Sequence, residues 1–75
     1  MKTDDRREVT VTNGYAGNDI YEPAYFDTMV SAQVYVKTLL TRLQSQGYNV
    51  VSNHNLTLTQ AELNGKYLTV SIWKL

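Results

Sequence analysis

Leu56-Thr57-Leu58-Thr59-Gln60-Ala61-Glu62-Leu63, then Asn64-Gly65, then Lys66-Tyr67-Leu68-Thr69-Val70-Ser71-Ile72-Trp73, is the stretch that decides the fold. Apolar and polar residues alternate on both sides of the Asn-Gly pair. That period marks half-buried strands, and Asn-Gly between two such runs is a strong short-range signal for a hairpin. Two registers fit. A two-residue loop sets Leu63 opposite Lys66, Thr59 opposite Val70 and Thr57 opposite Ile72, and sends Leu56 and Leu58 to the Trp73 side. A type I turn followed by a bulge, with Gly65 in the left-handed conformation, sets Glu62 opposite Lys66, Gln60 opposite Leu68, Leu58 opposite Val70 and Leu56 opposite Ile72. A slip of one residue moves every side chain of a strand to the other face. The bulged register gathers Leu56, Leu58, Leu68, Val70 and Ile72 on one face and is the expected one. It leaves Glu62 and Lys66 as an exposed cross-strand ion pair, worth about 0–1 kcal/mol. Thr57, Thr59, Tyr67, Thr69, Ser71 and Trp73 then share the opposite face with Thr10 and Thr12. The two-residue register would instead make that outer face more apolar and favour a buried dimer interface.

Outward from the hairpin, Met29, Ala32, Val36, Leu39, Leu40 and Leu43 recur at helical spacing. The predicted helix starts on Asp27 as N-cap and runs to about Gln46. Gly47 is the left-handed residue that ends it, and Arg42 near the end suits the helix dipole. Val30 and Val34 miss the stripe and fall one turn apart on an outer flank. Glu8-Val9-Thr10-Val11-Thr12 alternates and is β-branched, so it is predicted to be a strand with Val9 and Val11 inward. Tyr48-Asn49-Val50-Val51 begins another strand, which Ser52-Asn53-His54-Asn55 interrupts with a bend or bulge before Leu56. Residues 15–26 form a long connection that includes Asp19, Ile20, Tyr21, Glu22, Tyr25 and Phe26. It is richer in aromatics than a disordered linker, and Ile20, Tyr25 or Phe26 is expected to pin it to the core.

The order β-α-β-β predicts an α+β fold, a two-layer sandwich of one long helix on a three-stranded sheet. The last strand, the longest uninterrupted alternation, belongs at the centre. That gives sheet order 1-3-2, preferred to the order 1-2-3, which needs a parallel crossover. Residues 1–75 make one small domain, with 1–6 as a frayed, charged tail.

Composition bounds the function. Seven basic and seven acidic residues cancel, whereas gripping phosphate backbones calls for a basic surface. There is no Cys and a single His, which leaves no disulfide, no thiolate metal site and no second imidazole. His54, flanked by Asn53 and Asn55, suits a turn that makes local hydrogen bonds. No Gly-rich phosphate loop, nucleophile elbow or metal-loop spacing is present. The expectation is a non-enzymatic chain with no cofactor. No apolar run approaches the roughly 20 residues of a membrane span, and Met1 to Thr12 lacks the apolar core of a signal peptide. A cytoplasmic location follows as the default.

Six Tyr and one Trp stand out, since both residue types offer large contact area with a polar handle and dominate binding hot spots. Residues 13–27 add Asp19, Glu22 and Asp27 with no basic residue. The sequence therefore predicts a protein-binding module, an accessory inhibitor or modulator of the phage- or plasmid-borne kind. Its contact residues would be Asp19, Tyr21, Glu22 and Tyr25 of the Tyr-rich acidic loop, with Tyr67 and Trp73 of the open sheet face. One alternative is a structural homo-oligomer, such as a homodimer. The other is a weak nucleic-acid binder, with Tyr67 and Trp73 stacking on bases and Arg42, Lys66 and Lys74 on phosphates. The neutral charge disfavours this last reading.

Overall fold

In the computed structural model, residues 5–13, 18–19 and 22–75 are described. The elements are β1 (Arg7–Asn13), β2 (Asn18–Asp19), β3 (Ala24–Phe26), α1 (Met29–Ser45), β4 (Asn49–Ser52), β5 (Leu58–Leu63) and β6 (Lys66–Lys74). The chain is α+β: one helix packs on an antiparallel sheet ordered β2-β1-β6-β5-β4, with β3 also pairing β1. β6 lies at the centre, antiparallel to β1 and to β5. The sheet is wider than three strands for two reasons. Residues within the long connection add short strands to the free edge of β1. The Ser52–Asn55 interruption is a full reversal, so β4 pairs antiparallel with β5.

That reversal is built by one side chain. Asn53 Oδ1 accepts from the Thr57 and Leu58 backbone N–H groups at 2.9 and 3.3 Å, and its Nδ2 donates to Thr57 Oγ1 at 2.7 Å. Asx side chains commonly mimic a backbone turn in this way. Gln33 Nε2 of the helix donates to the Asn55 carbonyl at 2.9 Å and fastens the turn to the second layer. Leu56 lies at φ 60°, a conformation that costs a non-glycine residue about 1–2 kcal/mol. Its side chain is thereby returned to the core, against which it packs half-buried.

The hairpin takes the two-residue register, a correction to the bulged expectation: Leu63 pairs Lys66, Ala61 pairs Leu68, and Thr59 pairs Val70. Asn64 and Gly65 both have positive φ, 53° and 84°. This is a type I′ turn, whose twist matches the right-handed twist of the strands it joins. Counting apolar residues per face favoured the other register because Thr59 looked misplaced in a core. Thr59 is fully buried, and its hydroxyl lies 2.8 Å from the Ser52 hydroxyl on β4, so the polar atom brings its own partner. Ala61 is also fully buried. Leu58 moves to the outer face. Glu62 stands opposite Tyr67, and its carboxylate accepts from the Gly65 N–H at 2.9 Å, so the Glu62–Lys66 pairing is not the one formed.

The core lies between the inner sheet face and the helix stripe. Val9, Val11, Ala61, Leu68, Val70 and Ile72 meet Ala32, Val36, Leu39, Leu40 and Leu43, all buried, with Met29 half-buried at the margin. Phe26 packs against this core, its ring centroid 5.1 Å from that of Tyr35. It is the pin of the long connection; Ile20 lies outside the described residues.

At the helix start, the N-cap is Thr28 and not Asp27. Thr28 Oγ1 accepts from the Ser31 N–H at 3.1 Å. A second acceptor comes from the segment expected to fray: Asp5 Oδ2 takes the Met29 N–H at 3.1 Å, and its Oδ1 lies 2.9 Å from Arg7 Nη2. The helix end is as expected. Gly47 sits at φ 101°, its N–H donates to the Gln44 carbonyl, and the Tyr48 N–H donates to the Leu43 carbonyl. This is the paired hydrogen bonding of a Schellman cap.

Candidate functional site

The outer sheet face is the surface that the helix leaves uncovered. Alternation along the strands puts Glu8, Thr10 and Thr12 of β1 there, with Tyr67, Thr69, Ser71 and Trp73 of β6, Leu58, Gln60 and Glu62 of β5, and Asn49 and Val51 of β4. Tyr25 joins them from β3 as the partner of Glu8. The register sets these residues in rows across the strands. One row is Tyr25, Glu8 and Trp73; the next is Thr10, Ser71 and Leu58. Then come Thr12, Thr69, Gln60 and Val51, and last Tyr67, Glu62 and Asn49.

This face is unusually apolar for an open one. Tyr25 is 64% exposed, Val51 73%, Leu58 50%, Tyr67 43% and Trp73 55%. An antiparallel sheet that faces water normally alternates apolar-in with polar-out; here β4, β5 and β6 each set at least one large apolar side chain among the polar residues of the outer side. Val51 and Leu58 line a shallow, open depression of about 340 Å³ with Ser52, Asn53 and Gln60. Hydroxyls and amides occupy the centre of the face, and aromatic rings stand at two of its ends. Tyr67 and Trp73 are separated by about 20 Å at the rise of a strand.

The aromatic side chains are held in place. Trp73 Nε1 donates to Thr10 Oγ1 at 2.9 Å, which draws the indole across the ladder toward β1. Tyr25 Oη donates to Glu8 Oε2 at 3.3 Å. Anchored rings lose less freedom on binding than free ones, which lowers the ordering cost of an interface.

Among the contact residues expected from sequence, Tyr25, Tyr67 and Trp73 share this face. Glu22 is exposed between β2 and β3. Asp19 belongs to β2, where it pairs with Thr12 on the same edge of the sheet. The Asp19 side chain and the whole of Tyr21 lie outside the described residues. Sequence reasoning missed Leu58 and Val51, Leu58 because of the register and Val51 because β4 was read as continuous with β5. Glu8 was also missed, since a lone carboxylate on a strand carries no motif.

The stacking arrangement with phosphate-binding cations is not assembled here. Arg42 is on α1, on the far side of the sheet from Tyr67 and Trp73. Lys66 and Lys74 alternate with Tyr67 and Trp73 along β6 and so project to the opposite side. Among the described residues, no group of three or more acidic or histidine side chains could hold a metal ion. His54 is exposed in the β4–β5 turn. Among the same residues, no helix is long and apolar enough to cross a membrane. No family model, no curated protein and no solved structure matches the chain.

Proposed function

We propose that this chain is a small protein-binding module, a non-enzymatic accessory or modulator, and that its working surface is the outer sheet face. The observation that carries this reading is the set of five large apolar side chains, Tyr25, Val51, Leu58, Tyr67 and Trp73, exposed together on one side of one sheet. Large apolar side chains gathered on one exposed face point to an interaction site more than the same residues scattered over the whole surface do. Tyr and Trp are residue types enriched among binding hot spots. Asp19 of β2 and exposed Glu22, with Tyr21 from the sequence between them, would extend the contact.

Quantitative affinity capture from cells tests this with two variants. Leu58→Ser/Trp73→Ala strips the sheet face, and Val30→Ser/Val34→Ser strips the exposed valines of the helix. Proteins retained by the wild type and the helix variant, and lost by the sheet variant, are the expected outcome. If the sheet variant retains every protein and the helix variant loses them, the working surface is wrongly assigned.

A second reading is favoured by one observation. The two-residue register places Leu58 outward, and Val51 joins it, so a second copy of the chain could cover the face as an isologous dimer. Sedimentation velocity over a range of concentrations separates the two. A monomer at all concentrations keeps the face for another protein, and a dimer abolished by Leu58→Asp gives it to the twin.

A further inference from the structure

The strand positions of the outer face carry acidic charge in an aromatic setting. The described ones carry Glu8 and Glu62, with Asp19 of β2 paired to outer-face Thr12, and no Lys or Arg. The basic residues nearest to Glu8 are committed elsewhere. Arg7 alternates to the inner side, where its guanidinium lies 2.9 Å from Asp5 and its Nε donates to Met29 Sδ. Arg6, which precedes β1 and alternates to the same side as Glu8, is exposed but not free. Glu62 is half-buried and occupied by the Gly65 N–H of its own turn. Glu8 differs. Among the described residues, its side chain makes one hydrogen bond, from Tyr25 Oη to Oε2, which leaves Oε1 available.

Glu8 is paired with Tyr25 on one side and with Trp73 on the other. Side chains directly opposite in antiparallel ladders stand about 4.5–5.5 Å apart at Cβ, so the carboxylate is flanked by two exposed rings. Both neighbours are fixed by hydrogen bonds, one to Glu8 itself and one to Thr10 on the same strand. A carboxylate between two aromatic rings is complementary to a cation that has a flat face. A guanidinium can stack on the indole while it donates to the carboxylate; an ammonium can do only the second as a point charge.

We propose that Glu8, Tyr25 and Trp73 form a seat for an arginine side chain presented by the protein that covers the outer face. The proposal rests on the reading of that face as a protein-binding surface. The seat supplies charge complementarity at one end of a contact whose middle is neutral.

The test uses the full chain and three capped tripeptides, glycine-X-glycine with X arginine, lysine or citrulline, followed by two-dimensional NMR. The arginine peptide is expected to shift the Trp73 indole N–H and the Glu8 amide saturably. The lysine peptide should bind several-fold more weakly, and citrulline, uncharged but of similar shape, should not bind. Glu8→Gln should weaken arginine binding by about tenfold or more, the loss expected for a charged hydrogen bond, with well-dispersed spectra as proof of folding. Shifts that do not saturate, equal binding by citrulline, tighter binding by lysine, or an unaffected Glu8→Gln variant would each overturn the seat. The surface reading fails separately: if peptide binding is as expected but cellular capture ignores Leu58→Ser/Trp73→Ala, the seat stands and the larger interface does not. If capture needs Leu58 and Trp73 but ignores Glu8→Gln, the interface stands and the seat does not.

Discussion

The hydroxyl pair Ser52–Thr59 gives the sharpest test of the register, because its two halves sit in different surroundings. Thr59 has 0% exposure, Ser52 is half-buried, and their oxygens are 2.8 Å apart. Ser52→Ala leaves the Thr59 hydroxyl buried with no partner, a penalty of about 1–3 kcal/mol. Thr59→Val leaves the Ser52 hydroxyl unpaired instead, but that group is near water. The loss is then the net worth of one hydrogen bond, about 0.5–1.5 kcal/mol, offset in part by a buried methyl and by the strand preference of valine. Thr59→Val should therefore cost about 0–1 kcal/mol, less than Ser52→Ala. The double variant, with no orphaned hydroxyl, should resemble Thr59→Val alone and fall short of the sum of the two losses, the signature of directly coupled sites. Urea unfolding followed by far-ultraviolet circular dichroism reads these differences from midpoints at constant slope. A larger loss for Thr59→Val than for Ser52→Ala, or strictly additive losses, would refute the reasoning. In the bulged register Thr59 would face solvent and neither substitution would matter.

Other expectations follow from the same geometry. Gly65→Ala should cost about 1–2 kcal/mol from left-handed backbone strain alone, since a Cβ there meets nothing within 4 Å; thermal unfolding measures it. Thr28→Ala should cost about 1 kcal/mol as loss of an N-cap, while Asp27→Ala, exposed and outside the cap, should leave the urea midpoint unchanged. Leu58→Ser should cost well under the roughly 2–5 kcal/mol of a truncated core leucine, and Ala61→Val should cost about 1–3 kcal/mol by overpacking beneath the helix; chemical denaturation of the pair ranks them.

The parts of the fold legible in sequence are those where burial has one side and one period. The helix stripe, Gly47 and the central place of the last strand are of this kind, because each follows from local spacing or local backbone demand. The hairpin itself was legible, but its register was not. Both registers keep the alternation, and the choice turns on Thr59, whose burial is possible only because Ser52 stands beside it. That partner became visible only once Asn53 reversed the chain, and a single Asn among small polar residues does not announce a reversal. Asp5 was missed for a related reason. It serves the start of α1 from a segment with no pattern of its own, and only the pairing of β1 with β3 brings the two together.

The register also decides the chemistry of the surface. With Thr59 and Ala61 inside, β5 contributes Leu58 and Gln60 outward, and Leu58 joins Val51 where the bulged register would have set threonines. The same pairing leaves Trp73 opposite Glu8, and β3 brings Tyr25 to the far side of that carboxylate. The outer face is thus apolar around Val51 and Leu58 and anionic-aromatic toward β1 and β3. A partner that fits it combines an apolar ridge over Leu58 and Val51 with a cationic side chain near Glu8. A second copy of the chain brings the apolar ridge, but the described strand positions of its own outer face offer no Lys or Arg to the seat. On the proposed reading of the Glu8 seat, this distribution of charge favours a different protein over a twin.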